Sequence, residues 1–182
     1  MTLPTTGPLS LSQIQTEFGG ANPISLSEYY AGGAYVPSGT SGTNGAVPSS
    51  GTISIWNFYG TSNVITETQT VTVGSFIFKG SSNYGFQDGL YGSISDGTFG
   101  FISNAPIIYF SWSNSNQLFF RLSGNRANSG WTKVTISGVD FTRAAATYSY
   151  NAGSNYSQWL WSTGTNVFGT TTGATKPCVF TQ

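Results

Sequence analysis

The chain has 182 residues, 38% of them hydrophobic, with six basic and six acidic side chains and no histidine. That length fits one ordinary domain, or a compact domain with a smaller appendage. Charged residues make up 7%, against about 25% in a typical soluble domain, so the cations are too few for a phosphate-tracking stripe and nucleic-acid binding is set aside.

No apolar run approaches the roughly 18 residues of a membrane span. The opening Met1-Thr2-Leu3-Pro4-Thr5-Thr6-Gly7 lacks a basic stretch followed by an apolar one, so no secretory signal and no membrane association are expected. Solubility rests on hydroxyls and amides, with 26 Ser and 24 Thr beside 24 Gly. Little self-repulsion opposes contact between such surfaces, which suits a surface-displayed β-protein or a subunit covered by partners.

Residues 1–62 are rich in Gly, Pro and Ser and carry an internal echo. Leu9-Ser10-Leu11-Ser12-Gln13-Ile14 leads to Phe18-Gly19-Gly20; Ile24-Ser25-Leu26-Ser27-Glu28-Tyr29-Tyr30 leads to Gly32-Gly33; Ile53-Ser54-Ile55-Trp56-Asn57-Phe58-Tyr59 leads to Gly60. Ser10 with Gln13 and Ser25 with Glu28 fit a capping box, Ser54 with Asn57 more weakly. Three short helical segments are predicted, and the glycines after them suit left-handed caps. Helices this short must pack on something. Joined by the low-complexity loop 36–51, they are expected to make a poor independent core. Leu11, Ile14, Phe18, Leu26, Tyr29, Tyr30, Ile55, Trp56, Phe58 and Tyr59 are therefore candidate docking residues; the alternative is a mini-domain folded against its own C-terminal half.

Residues 63–182 alternate β-branched and aromatic residues between Gly, Asn and Ser breakers. Strands are predicted at 70–73, 75–78, 106–112, 117–122, 131–136, 147–150, 158–161 and 178–180, with Ser113-Asn114-Ser115-Asn116 as a hairpin turn. A helical turn is expected within 141–146. The fold class is mainly β: an antiparallel β-sandwich of about eight strands behind a small region of capped helices. Tyr148 with Tyr150 and Trp159 with Trp161 share strand parity, so each pair lies on one face. Buried, they are core; exposed, they form a platform for sugar rings or a subunit interface.

Without histidine, Ser-His-Asp and Cys-His catalysis and His-containing zinc sites are impossible. The acids are Glu17, Glu28, Glu67, Asp88, Asp96 and Asp140. Asp88-Gly89 and Asp96-Gly97 are turn dipeptides, and no acidic cluster has calcium-loop spacing. No catalytic residue, metal or cofactor is expected; a carboxylate pair degrading polysaccharide is the remaining enzymatic alternative. Cys178, the sole cysteine, reads as a small buried hydrophobe in a terminal strand.

The three ordered motifs, from Leu9 to Gly20, from Pro23 to Tyr30 and from Ile53 to Gly60, resemble the N-terminal segment of tail-fibre and minor structural proteins of tailed bacteriophages. Tyr91-Gly92-Ser93-Ile94-Ser95, Leu118-Phe119-Phe120-Arg121-Leu122-Ser123-Gly124 and Ser129-Gly130-Trp131-Thr132 are similar to β-rich modules attached to such segments. The resemblance implies a virion component assembled in the host cytoplasm, partnered by other virion proteins and oligomeric, trimeric by analogy with fibres. A tail-associated short fibre, adaptor, or baseplate or collar accessory is expected, anchored by residues 1–62. A module binding host-surface glycans and a capsid-surface decoration protein are the alternatives.

Overall fold

The structure, a computed structural model, describes residues 2–78 and 80–182. The chain forms two compact units, Met1–Ile65 and Thr66–Gln182. No helix among the described residues is long and apolar enough to cross a membrane.

In the first unit, Ser10 caps helix α1 (Leu11–Phe18). The Gln13 N–H donates to Ser10 Oγ at 3.3 Å, and the Ser10 N–H donates to Gln13 Oε1 at 2.8 Å. Each side chain thus covers a backbone donor of the other residue. The helix ends at Gly19, where φ is 86°, a conformation that costs glycine little. The second and third motifs make single 3-10 turns, Leu26–Glu28 and Ile55–Phe58, because stretches this short close i to i+3 bonds and stop. In the third, the Ser54 N–H reaches Asn57 Oδ1 at 2.9 Å, so even the short Asn side chain closes the backward half of the box.

The poor core expected of these segments is corrected. Leu3, Ile14, Phe18, Tyr29, Val36, Val47 and Phe58 form one buried cluster within the unit. The Phe58 ring meets Phe18 at 6.1 Å and Tyr29 at 6.4 Å, both edge-on, so one ring from each motif closes the core. The Tyr29 hydroxyl donates to the Gly19 carbonyl at 2.8 Å. The loop joins in: Val36 and Val47 are buried, and the short strands β1 (Ser41–Gly42) and β2 (Gly45–Ala46) pair across its tip. Seven side chains buried at about 1.5–3 kcal/mol for the larger ones supply what propensity alone withholds.

The second unit contains strands β3 (Thr66–Thr72), β4 (Gly74–Phe78), β5 (Ser81–Gln87), β6 (Ser93–Ile94), β7 (Thr98–Phe99), β8 (Ala105–Ser113), β9 (Gln117–Ser123), β10 (Lys133–Ile136), β11 (Val139–Thr142), β12 (Thr147–Asn151), β13 (Tyr156–Ser162) and β14 (Thr175–Thr181). Among the described residues they build two antiparallel sheets. The five-stranded sheet runs β11-β10-β14-β3-β6; the seven-stranded sheet runs β12-β13-β9-β8-β5-β4, with β7 paired to β8 beside that path. Between them lies one core, where Val71, Val134, Ile136, Cys178 and Phe180 meet Phe110, Leu118, Phe120, Leu122, Trp159 and Trp161. The Phe120 ring sits 5.0 Å from both Phe110 and Phe180 and 5.8 Å from Trp159.

The mainly β architecture agrees with the sequence reading, as does the helical turn at Arg143–Ala145. The strand count is higher than the sequence predicts. β5 and β11 escape the pattern because Ser, Asn, Gly and Asp dilute their β-formers, and β6 and β7 because two residues each are too few to show alternation. The chain changes sheets at Val73, between β3 and β4, and the crossing is tight. Gly74 pairs with Gly85, and a Cβ at Gly85 would stand 2.4 Å from the Phe110 carbonyl oxygen.

Candidate functional site

The inner face of the seven-stranded sheet is spent on the core, so its chemistry lies on the other face. Strand alternation sends Leu118, Phe120 and Leu122 of β9 inward, which leaves Phe119 and Arg121 outward. Register then sets outward residues side by side. Gln87 of β5 pairs with Tyr109 of β8, Tyr109 with Arg121, and Arg121 with Gln158 of β13. A bulge between Ile107 and Tyr109 gives Tyr109 this facing.

Arg121 is the centre of the face. Its guanidinium carbon lies 4.6 Å from the Tyr109 ring centroid, 5.2 Å from Phe119 and 4.8 Å from Tyr156, a cradle of cation–π contacts. The Arg121 Nε–H donates to Gln158 Oε1 at 2.7 Å. Among the described residues no carboxylate pairs with this cation, and no other chain acceptor takes its terminal N–H groups. The Tyr109 hydroxyl donates to Asn83 Oδ1 at 3.1 Å, and the Asn83 amide donates to the Ser81 carbonyl at 3.1 Å, which locks the floor.

The β4 side forms a wall. Phe76 stacks on Tyr91 with centroids 5.8 Å apart and planes 10° apart, and the Tyr91 hydroxyl donates to Ser111 Oγ at 3.1 Å. Burial pushes the Tyr91 phenol far above its ordinary pKa, so it stays a neutral donor. Phe76, Phe78, Leu90, Tyr109, Phe119, Gln87 and Arg121 line an open groove of about 460 Å³, within the size range of small-ligand sites. Gln87 makes no side-chain hydrogen bond within the described chain. Among the lining residues are apolar rings, an unspent amide and an unpaired guanidinium, and none carries a carboxylate.

The sequence leaves Tyr148, Tyr150, Trp159 and Trp161 as core or as a platform, and the structure makes the two tryptophans core. Trp159 and Trp161 are buried in the core, where the Trp161 Nε1–H donates to the Thr142 carbonyl at 2.8 Å. Tyr148 packs against Trp159 at 5.2 Å and its hydroxyl donates to the Arg126 carbonyl. Tyr150 alone is exposed, and its hydroxyl donates to Asn155 Oδ1 at 3.0 Å. For Trp159 and Trp161 the shared face is the inward one, because the apolar alternate residues of β9 fix which side of β13 is covered.

The docking candidates divide as well. Ile14, Phe18, Tyr29 and Phe58 belong to the first unit's own core and are unavailable to a partner in this fold. Leu11, Leu26, Tyr30, Ile55 and Tyr59 are half-buried; the Tyr59 hydroxyl donates to the Gly7 carbonyl at 2.6 Å, and that of Tyr30 to Gly51. Trp56 projects, 64% exposed.

Among the described residues no group of three or more acidic, Cys or His side chains converges as a metal site. Glu67 accepts from the Gly100 and Phe101 N–H groups at 3.0 and 3.1 Å, which ties a turn. Asp140 takes Lys133 Nζ at 2.5 Å and the Thr135 hydroxyl at 2.5 Å. Cys178 is buried, and burial pushes its thiol well above the ordinary range. Comparison of the chain with protein-family models, curated proteins and solved structures finds no match in any of the three.

Proposed function

We propose that the chain is a non-enzymatic structural component of a tailed-bacteriophage virion: a tail-associated short fibre, adaptor, or baseplate or collar accessory held to the particle by its N-terminal unit. The observation that carries this reading is the assembly of the three phage-like motifs. Phe18, Tyr29 and Phe58, one from each, share a core, so the segment is a folded module with a defined outside. On that outside Trp56 stands clear, beside the half-buried Tyr59 at 5.8 Å. Tryptophan is the residue type most enriched where interfaces concentrate their energy, and the low charge of the chain puts little repulsion in the way. The partners are other virion proteins and further copies of the chain.

Mass spectrometry of purified particles is expected to find the chain, and Trp56→Ala is expected to lower its copy number about tenfold or more, the effect of losing a contact worth at least about 1.4 kcal/mol. Normal copy number both for that variant and for a chain lacking residues 1–65 would end the anchor assignment. Absence of the unaltered chain from particles would end the virion reading itself.

A further inference from the structure

The geometry points to the groove on the seven-stranded sheet as a binding site for oligosaccharides that carry a carboxylate, a site distinct from the N-terminal anchor and independent of where the chain resides. A pyranose presents a C–H face, hydroxyls and, when acidic, a planar anion. The groove holds a counterpart for each. Phe76 has one ring face covered by Tyr91 and is 39% exposed, which leaves its other face for stacking. Gln87 has an amide with both donor and acceptor capacity and no partner in the described chain.

Arg121 supplies the third element. Three aromatic rings and Gln158 hold its guanidinium where it lines the groove, so its terminal N–H groups, which no acid among the described residues takes, are ordered before a ligand arrives. A guanidinium held in this way matches a carboxylate through paired N–H donors, which an ammonium cannot reproduce. The chemistry also disfavours the other anionic polymers. A nucleic acid needs several phosphate contacts, and the groove has Arg121 as its one cation among the described lining residues.

The test is titration calorimetry of the full chain with oligomers of galacturonate, glucuronate and N-acetylneuraminate, beside neutral oligomers of galactose and glucose, with inorganic phosphate as competitor. At least one acidic oligomer is expected to bind saturably and its neutral counterpart about tenfold or more weakly, the scale of a lost charge-assisted pair. Arg121→Gln is expected to weaken binding about tenfold and Arg121→Lys to recover only part of it. Gln87→Ala, at a residue whose side chain makes no hydrogen bond among the described residues, tests the site at little cost to the fold and is expected to weaken binding severalfold. The inference is overturned if no acidic oligomer binds, if neutral oligomers bind equally, if Gln87→Ala and Arg121→Gln both bind like the unaltered chain, or if phosphate displaces the sugar at equal concentration.

Discussion

Trp131 and Trp159 are neighbours in the sandwich core, 5.9 Å apart, yet their indole N–H groups fare differently. That of Trp159 donates to Asn128 Oδ1 at 2.8 Å. That of Trp131 is buried and, among the described residues, meets no acceptor. A buried donor left unmade costs about 1–3 kcal/mol, while a made bond contributes about 1 kcal/mol net. Replacing either indole by Phe removes similar volume, so the difference isolates the hydrogen bond. Trp159→Phe is expected to destabilise the chain by about 2 kcal/mol or more relative to Trp131→Phe, read from urea unfolding; equal losses would contradict an unmade hydrogen bond at Trp131. At this scale the sequence was only half legible. Parity put Trp159 and Trp161 on one face, but which face is buried depends on β9 beside them. Arg121 went unread because Phe119-Phe120-Arg121 shows aromatic residues of both parities, and only the register across β5, β8 and β9 assembles their outward members into a groove.

Among elements, the capped motifs were the most legible, because a Ser and its partner three residues on act locally. Their energetic weights differ with length. α1 has a full Ser10–Gln13 box and carries Ile14 and Phe18 into the core, so Ser10→Ala is expected to cost about 1 kcal/mol. At Ser54 the hydroxyl donates to Asn57 Oδ1 at 3.1 Å and starts only a single 3-10 turn, so Ser54→Ala is expected to lower the midpoint of thermal unfolding less than Ser10→Ala does. Equal losses at both positions would show that the boxes stabilise the turns irrespective of helix length. What the local reading missed is that Val36 and Val47, set in a Gly- and Ser-rich loop, complete the first unit's core. Strand β5 was hidden for a related reason. Its sequence Ser81-Ser82-Asn83-Tyr84-Gly85-Phe86-Gln87 is poor in β-formers, and pairing on both sides with β4 and β8 makes it a strand. At Gly85 that pairing allows no side chain, since the Phe110 carbonyl occupies the space.

For the whole molecule, low charge has a consequence for pH. With few ionised groups, stability over the acid and neutral range has little to titrate; Asp140, held below its ordinary pKa first by its hydrogen bond to Lys133 and then by Thr135, is exposed and adds little. The alkaline side is different. Burial raises the pKa of Cys178 and Tyr91, and burial together with the neighbouring Glu28 raises that of Tyr29. All three are protonated in the fold, whereas the unfolded chain releases its thiol proton near about pH 8.5 and its phenol protons near about pH 10. Their contribution is therefore complete below the unfolded values and declines as pH rises past them. The melting temperature is expected to fall progressively above about pH 8.5, and Cys178→Ala to remove the earliest part of that fall; a melting temperature flat up to about pH 11 would contradict the burial of these groups.

β14 is hydrogen-bonded to β10 on one side and β3 on the other. It thus joins the two halves of its sheet, β11 with β10 on one side and β3 with β6 on the other. Without β14, β3 would keep only the two-residue β6 as a partner among the described residues, and the part of the core that Cys178 and Phe180 close would be open to water. A change that loosens β14 would therefore uncover aromatic surface on a chain with little charge to hold copies apart, and self-association is the expected result.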